Sequence, residues 1–305
     1  MYIFIINPKA GSGRAKRVFS EIKQSESYRQ IKSKYYFTEY EGHGEEIAKK
    51  ISKDSSGKTI IVIGGDGTIH EVINGLTITD IPIGFIPGGS GNDFARGYGI
   101  KGKPEQILKQ IIYSQHTLKF WAGNYSLDSN KQRKFANSIS FGFDAEVAKT
   151  VNESSYKNLF NRIGLSSVSY IIGILQVLMH FKPMTITIEV DGKKQIWNDC
   201  WMVLIGNHPY YGGGMKIIPK AVIGPDVLQV LLIHSISKRK VLGLFLTVFF
   251  GKHEKYKEVE TFGAKTLKIA SEEPILLQVD GQTDRCHSSS IKKQAEPMII
   301  NGTAQ

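Results

Sequence analysis

Apolar positions in the first part of the chain switch repeatedly between short unbroken runs and a helical spacing. Tyr2–Ile6 is such a run, and a helix is predicted from the loop after it to about Ile22. Residues 35–38 form a second run, and residues 44–52 put Ile47, Ala48 and Ile51 on one helical face. Residues 58–63 and 83–86 read as buried strands, separated by a segment with apolar residues at 69, 72, 73 and 76. Strands alternating with helices predict an α/β domain with a doubly wound, mainly parallel sheet. Such sheets place ligands beyond the carboxyl ends of their strands, and there the sequence turns glycine-rich three times.

From about residue 119 the pattern changes to strands with short connections. Runs occur at 135–141, 185–190, 200–205, 227–234, 266–270 and 275–279. Asp191-Gly192 between 185–190 and 194–197 is a strong hairpin signal. These features predict a β-rich antiparallel sandwich, interrupted by two apolar helices at 163–181 and 241–251. Residues 298–300 are too short a run to place alone. The predicted domains are 1–125 and 126–294, with residues 295–305 returning to the first.

Composition narrows the partners. The formal net charge is +11 and the pI about 9.4, which favours nucleic acid, an acidic membrane surface or a polyphosphate ligand. The lysines are scattered and no aromatic-interleaved RNA motif occurs, so nucleic acid is not expected. Two cysteines, Cys200 and Cys286, provide neither a disulfide framework nor zinc spacing, and a cytoplasmic setting is the default. The N-terminal apolar run lacks a basic flank and reads as a strand rather than a signal peptide. The 163–181 segment is broken by Ser166, Ser167, Ser169, Gln176 and His180, and 241–251 falls short of the ~20 residues that cross a bilayer. Both read as buried helices, or as helices meeting lipid with one face. The three tryptophans, Trp121, Trp197 and Trp201, read as core.

The second glycine-rich stretch, Gly64-Gly65-Asp66-Gly67-Thr68, follows a buried strand and opens a helix. Backbone amides in such a loop, with a helix N-terminus beside them, suit a phosphate. The Asp66 carboxylate in that setting implies a metal ion or a transferable proton. The third stretch, residues 88–93, adds Ser90 and Asn92 as donors in a second phosphate-cradling loop that also carries Asp93. The first, at Gly11 and Gly13, could hold a nucleotide by Asn7 and backbone amides or be an ordinary strand-to-helix turn. A Walker loop is absent, and Lys16 stands where a dinucleotide fingerprint needs its third glycine. His70 reads as a helix-surface or core residue, and Arg96 as a phosphate or carboxylate partner.

Residues 64–75 together with Ile86-Pro87-Gly88-Gly89-Ser90-Gly91-Asn92-Asp93-Phe94-Ala95-Arg96 resemble the diacylglycerol kinase catalytic-domain family. The pattern is most similar to bacterial soluble lipid kinases that also resemble sphingosine kinases. It extends to residues 7–13, to Phe141-Gly142-Phe143-Asp144-Ala145 and to Asp280-Gly281. The resemblance implies ATP-dependent phosphorylation of a lipid hydroxyl, on diacylglycerol or a related lipid. It makes the first domain a nucleotide-binding kinase domain and the second a lipid-acceptor domain. ATP would contact Asn7, Pro8, Lys9, Ala10, Gly11, Thr38, Gly64, Gly65, Asp66, Gly67, Thr68, Glu71, Ser90, Asn92 and Asp93. Ser90 stands where the family usually has threonine and keeps the hydroxyl. A Mg²⁺ ion would be held by Asp226 and the carbonyls of Ile223 and Leu228. Asp144 matches an acidic position near the acceptor, or caps the helix after it.

One departure concerns the chemistry. Gln282 occupies the position of the family's glutamate proton acceptor, and glutamine takes no proton at pH 7. Asp66 and Asp280 are then the candidate bases, with Asp284 ranked after them. The resemblance also admits a weakened lipid- or nucleotide-binding regulator. The Gly-Gly-Asp-Gly-Thr core, shared with NAD kinases, admits a kinase of a soluble ribose hydroxyl. A lipid acceptor and a basic surface imply peripheral contact with an anionic membrane, and a homodimer is left open.

Overall fold

In the computed structural model, which describes residues 1–54, 57–77, 80–113, 117–154, 166–248 and 250–302, the chain divides into two compact units. One comprises Met1–Ala122 with Ala295–Gln305, the other Gly123–Gln294.

The first unit is built on β1 (Tyr2–Ile6), β2 (Ser33–Phe37), β3 (Thr59–Gly64), β4 (Ile83–Pro87), β5 (Thr117–Phe120) and β17 (Met298–Asn301). They form one sheet in the order β2-β1-β3-β4-β17-β5, parallel except for the β17–β5 pair. Phe4, Ile5, Ile6 and the 60–63 run are fully buried, as a parallel sheet covered on both faces requires. The run at 298–300 belongs to β17, whose Ile300 pairs with Ile83 of β4 and Leu118 of β5. Around the sheet lie α1 (Ala10–Gln24), α2 (Glu26–Arg29), α3 (His43–Ser52), α4 (Asp66–Gly75), α5 (Asp93–Gly97) and α6 (Pro104–Tyr113). Helix α1 buries Ala15, Val18, Phe19 and Ile22, a helical stripe. Gly75, at the end of α4, lies so close to α3 that a Cβ there would sit 2.2 Å from the Glu45 carbonyl oxygen.

The second unit has β6 (Gly123–Leu127), β7 (Arg133–Phe135), β8 (Ser138–Gly142), β9 (Met184–Val190), β10 (Lys193–Gly206), β13 (Leu228–His234), β14 (Val259–Ala264), β15 (Thr266–Val279) and β16 (Gln282–Lys293), all paired antiparallel, beside a two-stranded ribbon of β11 (Tyr210–Tyr211) and β12 (Met215–Lys216). Cys200 of β10 pairs with Met184 of β9 on the edge opposite β13, and Met202 pairs with Gly142 of β8 on that same edge. Strands β8 and β9 therefore lie end to end between β10 and β15. They are one strand line opened between Gly142 and Met184, where helices α7 (Phe143–Glu153) and α8 (Ser166–His180) are inserted. Both long strands have irregular register at the opening, between Trp197 and Cys200 and between Ala270 and Ile275.

The runs read from sequence as separate strands at 194–197 and 200–205 are thus one strand, as are those at 266–270 and 275–279. Conversely, the run at 135–141 is two strands. Asp191 and Gly192 take the left-handed backbone of the expected hairpin turn. One face of the sheet packs inward, with Val203 and Ile205 of β10 and Val230 and Leu232 of β13. The alternate residues, Met202, Leu204, Leu231 and Ile233, pack outward against α7, α8 and α9 (Lys238–Val248). The predicted apolar helices correspond to α8 and α9. Residues 163–165 and 249 of those segments lie outside the described residues.

A buried polar cluster ties the ends of these strands. His208 receives the Tyr210 N–H at Nδ1, 3.2 Å, so its Nε2–H donates to Asn137 Oδ1 at 2.9 Å. Lys293 Nζ donates to Asn207 Oδ1 at 2.6 Å, and burial pushes its pKa down to about 8. Burial likewise pushes His208 down to about 4, with Lys293 acting in the same sense and Asp280 opposing. The unfolded chain, with an ordinary imidazole near 6.5, therefore takes up that proton first as pH falls. The contribution of neutral His208 is complete above pH 6.5 and is lost towards pH 4, by on the order of 3 kcal/mol. Urea unfolding at about pH 7 and about pH 4.5 should show this loss, and His208→Gln should flatten the pH dependence.

Candidate functional site

Three loops meet at the carboxyl ends of β1, β3 and β4. The chain leaves β1 outward to β2 and returns to β3 on the other side, so a topological switch point lies between β1 and β3. The β1 loop enters α1 through Gly11, Ser12 and Gly13, with φ of 56°, 54° and 87°. Three successive left-handed residues are rare. At Ser12 this geometry carries roughly 1–2 kcal/mol of backbone strain.

The loops are packed on one another through bare backbone. A Cβ on Gly11 would lie 2.3 Å from the Gly88 carbonyl oxygen, and one on Gly89 would lie 2.4 Å from the Gly65 Cα. The Gly88 N–H donates to the Gly64 carbonyl at 2.7 Å. Asn92, at φ 56°, folds its amide back on Gly89, accepting the N–H at 3.0 Å and donating to the carbonyl at 2.9 Å. Arg14 donates to that same carbonyl at 3.0 Å. Asn7 Nδ2 reaches Thr68 Oγ1 at 3.3 Å, and its Oδ1 accepts the Lys9 N–H.

Several expectations change in detail. The loop at 64–68 is shorter than the motif suggests, because α4 begins at Asp66 and only Gly65 stands in the turn. None of Gly64, Gly65 and Gly67 has positive φ. Gly64 leaves space for Thr68, whose Oγ1 would lie 2.4 Å from a Cβ, and Gly65 leaves space for Gly89. Asp66 accepts the N–H groups of Asp93 at 3.3 Å and Phe94 at 2.9 Å, so its carboxylate meets the N-terminus of α5. The acid that is odd in a phosphate loop is thereby explained by the loop beside it. Asp93 is buried and pairs with Arg96 at 3.0 Å, so this arginine has a carboxylate partner. Glu71 accepts the N–H groups of Gly42 and Gly44 at 3.0 and 2.9 Å and fastens the start of α3. Thr38 is buried and donates its N–H to Ile6, Ser90 is exposed, and Pro8 and Ala10 lie half-buried in the β1 loop. His70 is buried, with Asn74 beside its ring.

In the second unit Asp280, at φ 48°, accepts backbone N–H groups from Ala136, Asn137 and Ser138 at 2.7–3.1 Å. These bonds hold the turn that divides β7 from β8, so the carboxylate anchors a turn. Gln282 opens β16, half-buried, and Asp284 is exposed. Asp226 is exposed in the turn before β13, with Ile223 half-buried and Leu228 buried at the strand's first position. A carboxylate and two carbonyls make an all-oxygen donor set suited to Mg²⁺. Among the described residues no three His, Cys, Asp or Glu side chains gather into a metal cluster. A cation here would complete its shell with water.

An apolar cavity of about 70 Å³ lies between α7, α8, α9 and the outward face of β10 and β13. Its lining includes Val147, Ile174, Trp201, Ile233, Leu244 and Val248. The polar groups in it are Asp144 and Tyr211. Asp144, buried in the first turn of α7, accepts hydrogen bonds from the Ser140 and Tyr211 hydroxyls. Asp144 is not the helix cap, since Gly142 holds that position. Tyr211 and Ser140 carry no motif and were not legible in the sequence. Trp201 is buried core, as expected, and it also lines the cavity.

The glycines can be told apart by substitution. Gly89→Ala must displace the Gly65 backbone, and should cost about 1–3 kcal/mol of stability. Gly67 is helical, with nothing within 4 Å of a Cβ. Gly67→Ala should leave the ligand-free protein as stable or up to about 1 kcal/mol more stable. Urea unfolding of both variants checks the contrast.

Residues 1–120 match the diacylglycerol kinase catalytic domain, and residues 137–301 match the YegS C-terminal NAD kinase beta sandwich-like domain. The chain is 34% identical over 286 residues to the "Putative lipid kinase YtlR" of Bacillus subtilis, covering 92% of this chain and 93% of that protein. It is 31% identical over 223 residues to a diacylglycerol kinase of Mycobacterium tuberculosis, covering 73% and 69%. The crystal structure of a diacylglycerol kinase from Bacillus anthracis shares the fold, with a TM-score of 0.70 at 19% identity over 98% of this chain and 95% of that one. This chain, with both domains in order, belongs to the diacylglycerol kinase-like, YegS-like lipid kinase family.

Proposed function

We propose that the chain is an ATP-dependent kinase that transfers the γ-phosphoryl group to the hydroxyl of diacylglycerol or a related lipid. The observation that carries the lipid half of this reading is the apolar cavity containing Asp144 and Tyr211. Its long aliphatic and aromatic wall suits an acyl chain, and the buried carboxylate and hydroxyl suit the polar end of such a molecule. A soluble ribose acceptor would find almost no polar partners along that wall. At about 70 Å³ the cavity is smaller than the ~150 Å³ that holds a benzene. A lipid chain therefore enters by parting the helical wall.

The nucleotide half rests on the three interlocked loops at the switch point. The loops at 11–13, 64–68 and 88–92 pack so closely that side chains are excluded at Gly11, Gly65 and Gly89, and the start of α4 at Asp66 and Gly67 gives them a helix N-terminus that suits a phosphate. In the transfer, the acceptor oxygen forms a bond to the γ-phosphorus, the bond to the β–γ bridging oxygen breaks, and the acceptor proton passes to a base. Gln282 cannot take it. Asp66 and Asp280 already accept backbone N–H groups, bonds worth roughly 1.5–3 kcal/mol each when charged. Either would serve as base only from the position those bonds impose. Catalysis would then lean on positioning and charge neutralisation, which dominate phosphoryl transfer. Mg²⁺ bound with ATP would neutralise phosphate charge, and Asp226 with the Ile223 and Leu228 carbonyls would hold a structural ion.

Labelled ATP offered with extracted lipids, and separately with NAD, tests the reading. Label in the organic phase is expected. Label in NAD, or ATP binding with no product, would overturn it in favour of an NAD kinase-like enzyme or a regulator. Gln282→Glu should preserve turnover or raise it by up to about 100-fold. Asp66→Asn should abolish turnover, because an amide N–H₂ would face the α5 backbone where a carboxylate oxygen now accepts. Ile174→Trp should lower kcat/KM for long-chain acceptors about tenfold and leave the ATP-induced thermal shift intact.

A further inference from the structure

Helix α8 contains no Asp, Glu, Lys or Arg, and its apolar arc is wider than the face it buries. Ile174 and Leu178 face the core beneath it. Beside them, continuing the arc outward, Ile171, Leu175 and Met179, each one turn apart, are exposed by 41%, 48% and 73%, with Val168 and Ile172 half-buried among them. At 100° per residue these five span a continuous sector about 100° wide. A helix of a soluble protein ordinarily fills such an outward sector with charge. Its fifteen residues measure about 22 Å, short of the ~30 Å hydrocarbon layer. No helix among the described residues is long and apolar enough to cross a membrane.

Cationic groups border the same stripe. Lys238, the first residue of α9, is exposed and donates its ammonium to the Met179 carbonyl at 2.8 Å. Arg239 follows it, and Lys182 stands just past the end of α8, both exposed. Leu242, one turn along α9 from Lys238, is 41% exposed. An apolar stripe with a cationic border is the composition of helices that lie in the plane of a membrane interface.

We propose that the outer faces of α8 and α9 form a docking surface for an anionic lipid bilayer, with Ile171, Leu175 and Met179 inserted and Lys182, Lys238 and Arg239 against the head groups. The charge border selects this occupant. A second copy of the same face would bring two cationic borders together, whereas anionic head groups neutralise them. The inner faces of these two helices wall the apolar cavity, so docking would put the cavity's helical wall against the bilayer. The proposal rests on the reading of the chain as a kinase of membrane lipids, and its test is run without ATP so that the two can fail separately.

Sedimentation of the full chain with phosphatidylglycerol–phosphatidylcholine vesicles should show binding that phosphatidylcholine vesicles alone do not give. Leu175→Glu with Met179→Glu should weaken it at least about tenfold. Lys182→Gln and Arg239→Gln should each weaken it about fivefold on anionic vesicles only. Leu175→Gln with Met179→Gln provides a milder pair, and an unchanged thermal midpoint in either pair shows that the fold is kept. Wild-type vesicle binding by a folded pair overturns the proposal. So does a pair that dissociates a dimer in sedimentation velocity yet still binds vesicles, which would make the face a self-association surface. Vesicle binding lost in the pairs supports it even if the wild type phosphorylates no lipid. That last result would remove the kinase reading and leave the docking surface standing.

Discussion

The close approach of the Gly65 and Gly89 backbones is the constraint on which the candidate nucleotide site depends. Two strand-to-helix turns can be brought that near only if neither carries a side chain. Once they are in contact, the Asp66 carboxylate is held at the first amides of α5, and the Asn92 amide closes the second turn on itself. Gly11 against the Gly88 carbonyl adds the β1 turn to the same stack. Together the three loops hold one another in a single arrangement, which would spare a bound phosphate the cost of ordering them.

The second unit solves a different problem. A sheet built only of hairpins would present one outward face to solvent. Here the strand line of β8 and β9 opens between Gly142 and Met184, and the inserted helices cover that face. The opening demands irregular register in both flanking strands, and both have it. Gly142 sits at the break, with φ 89° and the Met184 side chain within 2.5 Å of where its Cβ would be. The same insertion that covers the sheet creates the cavity, so the cavity and the interruption of the strand are one feature.

The sequence made the first unit legible because its strands are buried on both faces and its turns are glycine-rich, and both are local signals. The position of β17 was not legible, since four residues carry no period and only the ladder to β4 and β5 places them. In the second unit the exposed halves of β10 and β15 hid their continuity. β14 and β16, with polar residues through much of their length, left no apolar run to find. The site motifs were visible, but their jobs were not. Asp66, Glu71 and Asp280 look like ligand-facing acids in a linear reading, and in three dimensions each accepts backbone N–H groups from a distant segment. Partners 27 to 144 residues away cannot be inferred from spacing. Ser140 and Tyr211 escaped for the same reason.

This changes the meaning of Gln282. If Asp66 and Asp280 were unencumbered, either carboxylate could turn freely towards a substrate proton. Both are instead pinned by the turns they hold, and shifting either would release buried backbone donors at a cost of roughly 1–3 kcal/mol each. A mobile substitute base is therefore the least economical solution for this fold. Phosphoryl transfer tolerates a weak base when the γ-phosphate and the acceptor oxygen are held in line, because most of its acceleration comes from charge neutralisation and placement. In the kinase reading proposed above, the loop stack would supply placement on the nucleotide side. Acceptor placement would then rest on the fit of a lipid in the Asp144 cavity, so turnover should depend on acceptor fit more steeply than in relatives that keep the glutamate.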